Sequence, residues 1–440
     1  MRRVRLAGAA AGLLAVIPAA WADSFAINEY STRDLGLANA GRATQRGDAA
    51  GAWGNPALIV ALRRGAITGS LSGILGSASF DDQGSHDLLG RSLGRDTRGI
   101  LQNALVPGLQ AAWPINDRMA IGLSVTAPFG LSTKYDGDWP GRYQALKSSL
   151  KTVDINPSFS WQITDSFSVG VGVSAQYATA TLNSMIDFGA VCLSRLPPAS
   201  CAGLGLLPQA ADGFTEIEGD SWEWGWNVGA AWSPTPDWTI GLTYRSGVDH
   251  TLEGDATFVV PSNAAILTST GAFTDTPGTA ELNLPDMAEL GVRWQANPQI
   301  AVYAAAQWKK WSNLKELRVD FDNPAQPDSI EELNYEDSWR YSLGVEYQIE
   351  PQWILRAGLA FDGSPTQPEF RTARIPDNDR MVYAVGASWM PADDWAVDFA
   401  YNRVEIDDTD FDHVGNFNDR VTGEYTGHAN VISIGATKRF

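Results

Sequence analysis

The chain has 440 residues, of which 44% are hydrophobic and 10% aromatic, and this content excludes an intrinsically disordered protein. Its formal net charge of −19 argues against nucleic acid as a partner, because an acidic surface repels the phosphate backbone. After residue 22 no uninterrupted apolar stretch has the length of a transmembrane helix, so a membrane-spanning mature chain would have to be a β-barrel.

The N-terminus has the features of a secretory signal. Arg2, Arg3 and Arg5 precede an apolar run over residues 6–17, and a small-residue stretch ends at Ala22. This order predicts a signal peptide over residues 1–22, cleaved after Ala22, and therefore an exported protein. Its removal takes the formal charge from −19 to −22, since three arginines leave and −19 minus 3 is −22.

Residues 23–62 show no alternation of apolar and polar positions. Small residues at helix-like spacing, as in residues 35–41 and 49–57, predict short helices packed closely against another surface. A wide barrel lumen has to be filled if the membrane is not to leak. We therefore predict a plug, or hatch, over residues 23–62 and a barrel over residues 63–440.

From residue 66 onward, apolar and small or polar residues alternate with a period of two, which is typical of β-strands. Short turns and long polar loops follow the strands alternately, as in outer-membrane barrels with short periplasmic turns and long extracellular loops. The prediction is an all-β protein, a 14-stranded antiparallel transmembrane β-barrel with a small N-terminal helical hatch. The strands are predicted near residues 66–78, 104–114, 118–128, 151–162, 166–183, 218–232, 238–253, 283–296, 299–312, 336–349, 352–362, 379–390, 394–406 and 425–440.

The alternative is a large soluble β-sandwich or propeller. Strands of about ten residues, aromatic residues at the strand ends and the terminal Phe440 favour a membrane barrel with aromatic girdles. In a barrel the small and polar face of the strands points into a wet lumen. That face also carries charged residues, which the lumen tolerates: Arg245, Arg340, Arg356, Glu346 and Asp398.

Cys192 and Cys201 lie in one long loop with two prolines between them. In an exported protein this spacing favours a local disulfide over free thiols.

Four histidines, His86, His250, His413 and His428, lie near no Gly-x-Ser-x-Gly elbow and no metal-ligand cluster. We therefore expect no enzymatic activity, no cofactor and no metal site.

Aspartates alternate at 408, 410 and 412 but lack the glycine and glutamate of a calcium-binding loop. They are expected to form a solvated acidic loop, bridged to lipopolysaccharide by divalent cations.

An ordered series of short motifs runs along nearly the whole mature chain. The series resembles the outer-membrane long-chain fatty-acid transporters of the FadL type, which include relatives that carry aromatic hydrocarbons. The motifs are Gly36-Leu37-Ala38, Asn55-Pro56-Ala57, the segment 128–135 with Trp139 and Gly141-Arg142-Tyr143, Asn156-Pro157-Ser158, Leu284-Pro285-Asp286-Met287, Phe361-Asp362-Gly363-Ser364-Pro365 and Ile375-Pro376-Asp377-Asn378-Asp379-Arg380.

The resemblance implies a fourteen-stranded barrel with an N-terminal hatch, and a ligand that is caught near the extracellular loops and leaves sideways at a kinked third strand. It places residues 23–25 in the lumen beside the ligand and Asn55, Pro56 and Ala57 in the hatch, where the residues alone indicate a turn leading into the first strand. Pro128 and Gly130 either border the lateral gap or simply end the third strand, since both residue types weaken a strand.

For the ligand itself we single out an apolar set, Phe25, Leu105, Phe129 and Leu131, although packing between loops is the alternative for such residues. Arg142, Arg340 and Arg356 are candidates to pair with a carboxylate. For Arg142 the alternative is a solvated loop position, and for the other two an ion pair within the lumen.

The expected function is passive uptake of hydrophobic compounds, most of all long-chain fatty acids, across the outer membrane. The alternatives are an aromatic-hydrocarbon channel of the same family and a general porin or adhesin. The expected partners are the hydrophobic ligand, outer-membrane lipid and lipopolysaccharide. A monomer is expected, because a closed barrel has no free edge that would need a partner.

Overall fold

The computed structural model describes residues 24–440, and the predicted signal peptide and Asp23 lie outside this range. Over the described residues the chain forms fourteen antiparallel strands, five of which consist of two parts. In order they are β1 (Ala66–Asp82), β2 (Ala104–Asn116), β3 (Met119–Thr126 and Gly130–Lys134), β4 (Lys147–Thr164), β5 (Phe167–Asp187), β6 (Asp212–Trp232), β7 (Trp238–Arg245 and Asp249–Val259), β8 (Thr276–Asn283 and Met287–Asn297), β9 (Ile300–Lys309 and Glu316–Phe321), β10 (Ser329–Glu332 and Ser338–Glu350), β11 (Trp353–Asp362), β12 (Arg380–Ala392), β13 (Trp395–Val414) and β14 (Arg420–Arg439).

The helices are short and lie outside these strands. They are α1 (Thr32–Leu35), α2 (Gly51–Gly54), α3 (Phe188–Arg195) and α4 (Pro198–Gly203), with 3-10 helices at Pro56–Ala61, Ser262–Thr268, Trp311–Asn313 and Pro368–Phe370. A two-residue strand, Thr97–Arg98, pairs with the end of β1. Among residues 24–440 we find no helix that is both long enough and apolar enough to cross a membrane.

The sheet closes on itself because the last strand pairs with the first. β1 and β14 are in continuous register from the pair Ala66 and Arg439 to the pair Asp82 and Gly423. Closure leaves the sheet without an end strand, so the strands satisfy their backbone hydrogen bonds within the wall, except at the gap between β2 and β3 described below. The predicted fourteen-stranded antiparallel barrel is confirmed.

The two faces of the wall follow the predicted alternation. On β10, Trp339, Tyr341 and Leu343 are 47%, 52% and 60% exposed, whereas Arg340 and Ser342 between them are 4% and 5% exposed. The apolar side chains therefore form the outer, lipid-facing surface. The small and charged residues point into the barrel.

Several strands are longer than predicted. The pair β5 and β6 extends to Asp187 and Asp212, where the sequence predicts loop from residue 184 to residue 217. Apolar and polar residues are mixed on this part of the hairpin, as in Asn183, Ser184, Met185 and Ile186, so the alternation disappears although the pairing continues. A cross-strand hydrogen bond from Asn183 Nδ2 to Glu216 Oε2, 3.0 Å long, lies in this extension.

The connection between β5 and β6 holds the predicted disulfide. Cys192 on α3 and Cys201 on α4 are bonded and fully buried. Phe188 and Leu206 pack around them, together with Leu267 from the connection between β7 and β8. The disulfide thus joins two helices into a small apolar lobe at the long-loop end of the barrel.

Residues 24–62 lie inside the barrel and pack against glycines of its wall. A Cβ atom built on Gly241 of β7 would lie 1.8 Å from the carbonyl oxygen of Ala43, and one built on Gly358 of β11 would lie 2.2 Å from the carbonyl carbon of Leu37. Glycine is therefore needed at both wall positions, because any side chain would collide with this segment. The division into a hatch over residues 23–62 and a barrel over residues 63–440 stays a prediction.

Candidate functional site: an apolar cavity beside a gap in the wall

A cavity lies within the half of the barrel that carries the long loops. Its lining comes from strands β3 to β10, from the N-terminal segment and from the connection between β11 and β12. Most of the lining residues are aliphatic or aromatic, among them Phe25, Leu131, Leu150, Leu252, Leu282, Leu314 and Ile375. The cavity has the predominantly apolar walls of a small-molecule site.

Next to this cavity the wall is broken at β3. The strand stops at Thr126, residues 127–129 leave the sheet, and it resumes at Gly130. The first part pairs with both neighbours, whereas the second part, among the described residues, pairs as a strand with β4 alone. On the other side, the first residues of β2, from Ala104 to Gly108, pair only with β1 within the described chain.

At the end nearer the long loops, the loop before β2 closes the gap between β2 and β3. The backbone of Lys134 donates to the carbonyl oxygen of Ile100 at 2.9 Å, and that of Gln102 donates to the carbonyl oxygen of Ser132 at 3.2 Å. The break is therefore a bounded window in the wall. Pro128 lies within the interruption and Gly130 at its upper border, so β3 does not simply end there.

The N-terminal segment occupies this window from the inside. Ala26 forms a β-bridge with Phe129, flanked by hydrogen bonds of 2.8 Å from Ile27 N to the carbonyl oxygen of Pro128 and from Gly130 N to that of Phe25. Ala26 and Ile27 are buried. Residues 24–27 therefore act as a short extra strand that supplies partners to the kinked part of β3.

The start of this segment is held by side chains of two loops. Ser24 N donates to Asp377 Oδ2 at 3.0 Å, and Ser24 Oγ hydrogen-bonds to the Tyr335 hydroxyl at 3.1 Å. The Phe25 ring packs edge-on against Trp311, with ring centroids 4.6 Å apart, and Phe129 lies 6.2 Å away. The Phe25 side chain thus lines the cavity, and the backbone of the same residue pairs with β3 at the window.

Of the predicted apolar ligand residues, Phe25 and Leu131 line the cavity, and Phe129 contacts the Phe25 ring beside it. Leu105 was predicted wrongly, because it faces the outside of β2 and is 39% exposed. Its neighbour Val106 is fully buried and faces inward. The period-two alternation of a strand separates the two residues, and the weak pattern at the start of β2 concealed which of them points into the barrel.

None of the three predicted carboxylate partners lines this cavity. Arg142 is buried and pairs with Asp212 at 3.2 Å, beside a separate surface cleft. Arg340 pairs with Asp362 at 2.5 Å, deep in the lumen. Arg356 lies 2.9 Å from Glu346 and 3.7 Å from Asp398, an ion pair within the lumen as the alternative interpretation expected.

The sequence analysis missed the basic residue that does line the cavity, Arg374, and the residues that hold the N-terminal segment, Asp377, Tyr335 and Trp311. Asp377 belongs to one of the family-like motifs, and Arg374 stands just before that motif. Their place in or next to this motif was the one feature of the sequence that could have singled out Arg374 and Asp377. Trp311 was predicted inside a continuous strand, whereas it starts the 3-10 helix that interrupts β9.

Asn55, Pro56 and Ala57 lie where the N-terminal segment meets the wall. Asn55 is fully buried; its Nδ2 donates to the carbonyl oxygens of Ala43 at 2.9 Å and Ala230 at 3.1 Å, and its Oδ1 accepts from Ala57 N at 3.1 Å. Pro56 starts the following 3-10 helix. The turn therefore fastens the segment to β6 and also leads toward β1.

Asp34 in α1 gives this segment a dependence on pH. Burial raises the pKa of its carboxyl from 3.8 to about 7, and the nearby Asp48 adds to the rise. Because the pKa of Asp34 is higher in the folded state than in the unfolded chain, its contribution to the free energy of unfolding is fully present below pH 3.8. This contribution is lost as the pH rises through about 7.

The Asp34→Asn variant should reduce this dependence, because the amide stays neutral at every pH, while Glu29, whose pKa burial also raises, keeps its own share. We expect the wild-type segment to exchange its amide hydrogens faster at about pH 8 than at about pH 5, after correction for intrinsic exchange rates, and the variant to show a much smaller increase. Hydrogen exchange over residues 24–62 measures this, with Asp117→Asn in an exposed turn as the control. Equal pH dependence in the wild type and Asp34→Asn would contradict the assignment.

Comparison with known proteins agrees with this architecture. A long-chain fatty acid transport protein of Escherichia coli O6:H1 is 30% identical over an alignment of 390 residues that covers 86% of this chain and 86% of that one. The crystal structure of a Pseudomonas aeruginosa FadL homologue superposes with a TM-score of 0.85 at 24% identity, covering 94% of this chain and 99% of that one. The Pseudomonas putida toluene transporter TodX has the same fold, with a TM-score of 0.69 at 17% identity and coverage of 92% and 98%.

The family described as "Outer membrane protein transport protein (OMPP1/FadL/TodX)" matches residues 13–440. Its members are transport proteins of the outer membrane and not enzymes. The predicted resemblance and location are confirmed. The chain belongs to the OMPP1/FadL/TodX family and is an outer-membrane transporter for hydrophobic compounds.

Proposed function

We propose that this protein takes up long-chain fatty acids by binding them in the apolar cavity and releasing them sideways through the window at β3. The observation that carries the proposal is the position of Phe25, which lines the cavity and whose backbone fills the window. A ligand that displaces Phe25 would therefore also withdraw the segment that blocks the exit.

The apolar lining supplies the affinity. Burial is worth about 0.8 kcal/mol per methylene, so a long acyl chain gains several kcal/mol on entering an apolar cavity. Such a chain would gain little from a water-filled pore. Release into the membrane through the wall keeps it out of water throughout.

In this proposal residues 23–62 are the hatch that keeps the lumen closed, and Asn55, Pro56 and Ala57 fasten it to the wall. Pro128 and Gly130 permit the kink that creates the window, because proline cannot donate to a strand ladder and glycine weakens one. The protein acts as a monomer surrounded by lipid and lipopolysaccharide.

Aromatic hydrocarbons are the second candidate, since TodX is named as a toluene transporter and shares the fold. Long-chain fatty acids are placed first because the relative that is 30% identical is named a long-chain fatty acid transport protein, whereas TodX is 17% identical.

The test is binding of radiolabelled oleate and of toluene to the purified full-length protein in detergent. We expect saturable oleate binding, weakened in Leu252→Ala, which shortens a side chain in the cavity, and unchanged in Leu290→Ala, which shortens one on the lipid-facing surface. Saturable toluene binding without oleate binding would replace the proposal with the hydrocarbon function.

A further inference from the structure

One basic side chain, Arg374, lies among the residues that line the cavity within the described chain. The other charged residues of the lining are Glu218 and Asp255, which are exposed and alternate with the inward-facing Gly219 and Gly254. A single basic side chain in a predominantly apolar lining is unusual, because a charge there costs solvation energy unless it has a partner.

The Arg374 guanidinium has a position that is fixed on one side. Its Nε donates to Glu331 Oε2 at 2.8 Å, and its Nη1 donates to Ser148 Oγ at 3.3 Å. Ser148 is also a lining residue. The structure records no partner for Nη2 among residues 24–440, so part of the planar fork that could hold a carboxylate is unused.

The backbone around Arg374 is held in place by the segment that follows the window. The Tyr135 hydroxyl donates to the carbonyl oxygen of Ala373 at 2.5 Å, and Thr133 Oγ1 donates to that of Arg374 at 3.3 Å. The side chain is therefore presented to the cavity from an anchored loop. Such anchoring reduces the entropy that is lost when a ligand is bound.

Glu331 reaches the same space from β10. It stands opposite Leu317 in the pairing of β9 with β10, and Leu317 lines the cavity. The Arg374 and Glu331 side chains are 14% and 24% exposed, so the pair is neither freely solvated nor sealed in the core. Glu331 presents to Arg374 the same functional group that a fatty acid would present.

We propose that Arg374 is a specificity-determining residue, which exchanges Glu331 for the carboxylate of an amphipathic ligand and so makes the cavity prefer long-chain acids over neutral chains of equal length. The inference rests on the proposed function, because it names the group that recognises the polar end of that ligand. Charge-assisted, forked hydrogen bonding to the guanidinium supplies the discrimination.

The experiment compares oleate with oleyl alcohol, which has the same chain without the charge, on the full-length protein in detergent. In Arg374→Gln we expect oleate binding to weaken by about tenfold or more, and oleyl alcohol binding to change by less than about twofold. In Glu331→Gln the competing carboxylate is gone, and oleate binding should tighten while oleyl alcohol binding stays constant. Arg98→Gln, which removes an exposed arginine paired with Asp81, is the matched control.

If Arg374 and Glu331 form only a structural pair, both variants will change the binding of the two ligands equally or leave both unchanged, and either result overturns the inference. Arg374→Lys keeps the charge without the fork, so it should retain part of the preference for oleate. Should Arg374→Gln fail to fold, Glu331→Gln decides through the ratio of the two affinities. Wild-type protein that binds neither ligand would instead overturn the proposed function.

Discussion

Uptake of fatty acid is expected to stop when a disulfide joins residue 26 to residue 129, and to return when that disulfide is reduced. In the Ala26→Cys and Phe129→Cys double variant the new bond would pin the N-terminal segment across the window. Ala26 and Phe129 face each other without hydrogen bonds between them, which corresponds to a Cα separation of about 4.5 Å. That separation suits a disulfide, which spans about 4.4–6.8 Å.

The measurement is uptake of labelled oleate by cells or liposomes that contain the oxidised and the reduced double variant. Each single cysteine variant controls for the loss of the Phe129 ring and for the change at Ala26. Wild-type protein treated with the same reductant controls for opening of the bond between Cys192 and Cys201. Uptake at the wild-type rate by the oxidised double variant would mean that the ligand leaves by another route.

A steady ion conductance is expected from Gly241→Leu, whereas the wild-type barrel should be nearly silent in a planar bilayer. The new side chain would overlap the carbonyl oxygen of Ala43, which lies 1.8 Å from the position of its first atom. Overpacking of this kind costs about 1–3 kcal/mol or more, and the N-terminal segment can avoid it by moving away from the wall. The lumen would then be open to water.

Gly69→Leu is the matched control for this variant. It adds the same side chain to the barrel wall at β1, where no heavy atom lies within 4 Å of the added Cβ. Its conductance should equal that of the wild type. Comparable conductance from the wild type itself would favour a general porin and would remove the role proposed for the hatch.

The period of two identified the strands, their number and the inner and outer face of the wall, because lipid on one side and polar lumen on the other impose opposite chemistry on alternate residues. The same reasoning placed Arg340 and Arg356 inside the barrel correctly. It could not place them along the axis. Their height and their partners depend on strand register, which alternation leaves open.

The site itself was less predictable for a related reason. Arg374 and Asp377 lie in a loop between β11 and β12, and they reach the cavity and Ser24 through contacts that span most of the chain. Local pattern contains no information about such contacts. Leu105 failed for the opposite reason, since a correct strand with an uncertain phase reverses the direction of every side chain.

The seam between β1 and β14 has a consequence for biogenesis. It pairs residues 66–82 with residues 423–439, so the ladder that completes the cylinder joins the first strand of the sheet to the last. Contacts of such high sequence separation are slow to form, and none of them exists until the last strand has emerged. A nascent chain that lacks its final hairpin would expose two sheet edges with unpaired backbone N–H and C=O groups to the bilayer. We therefore expect cellular quality control to degrade truncated copies before they insert.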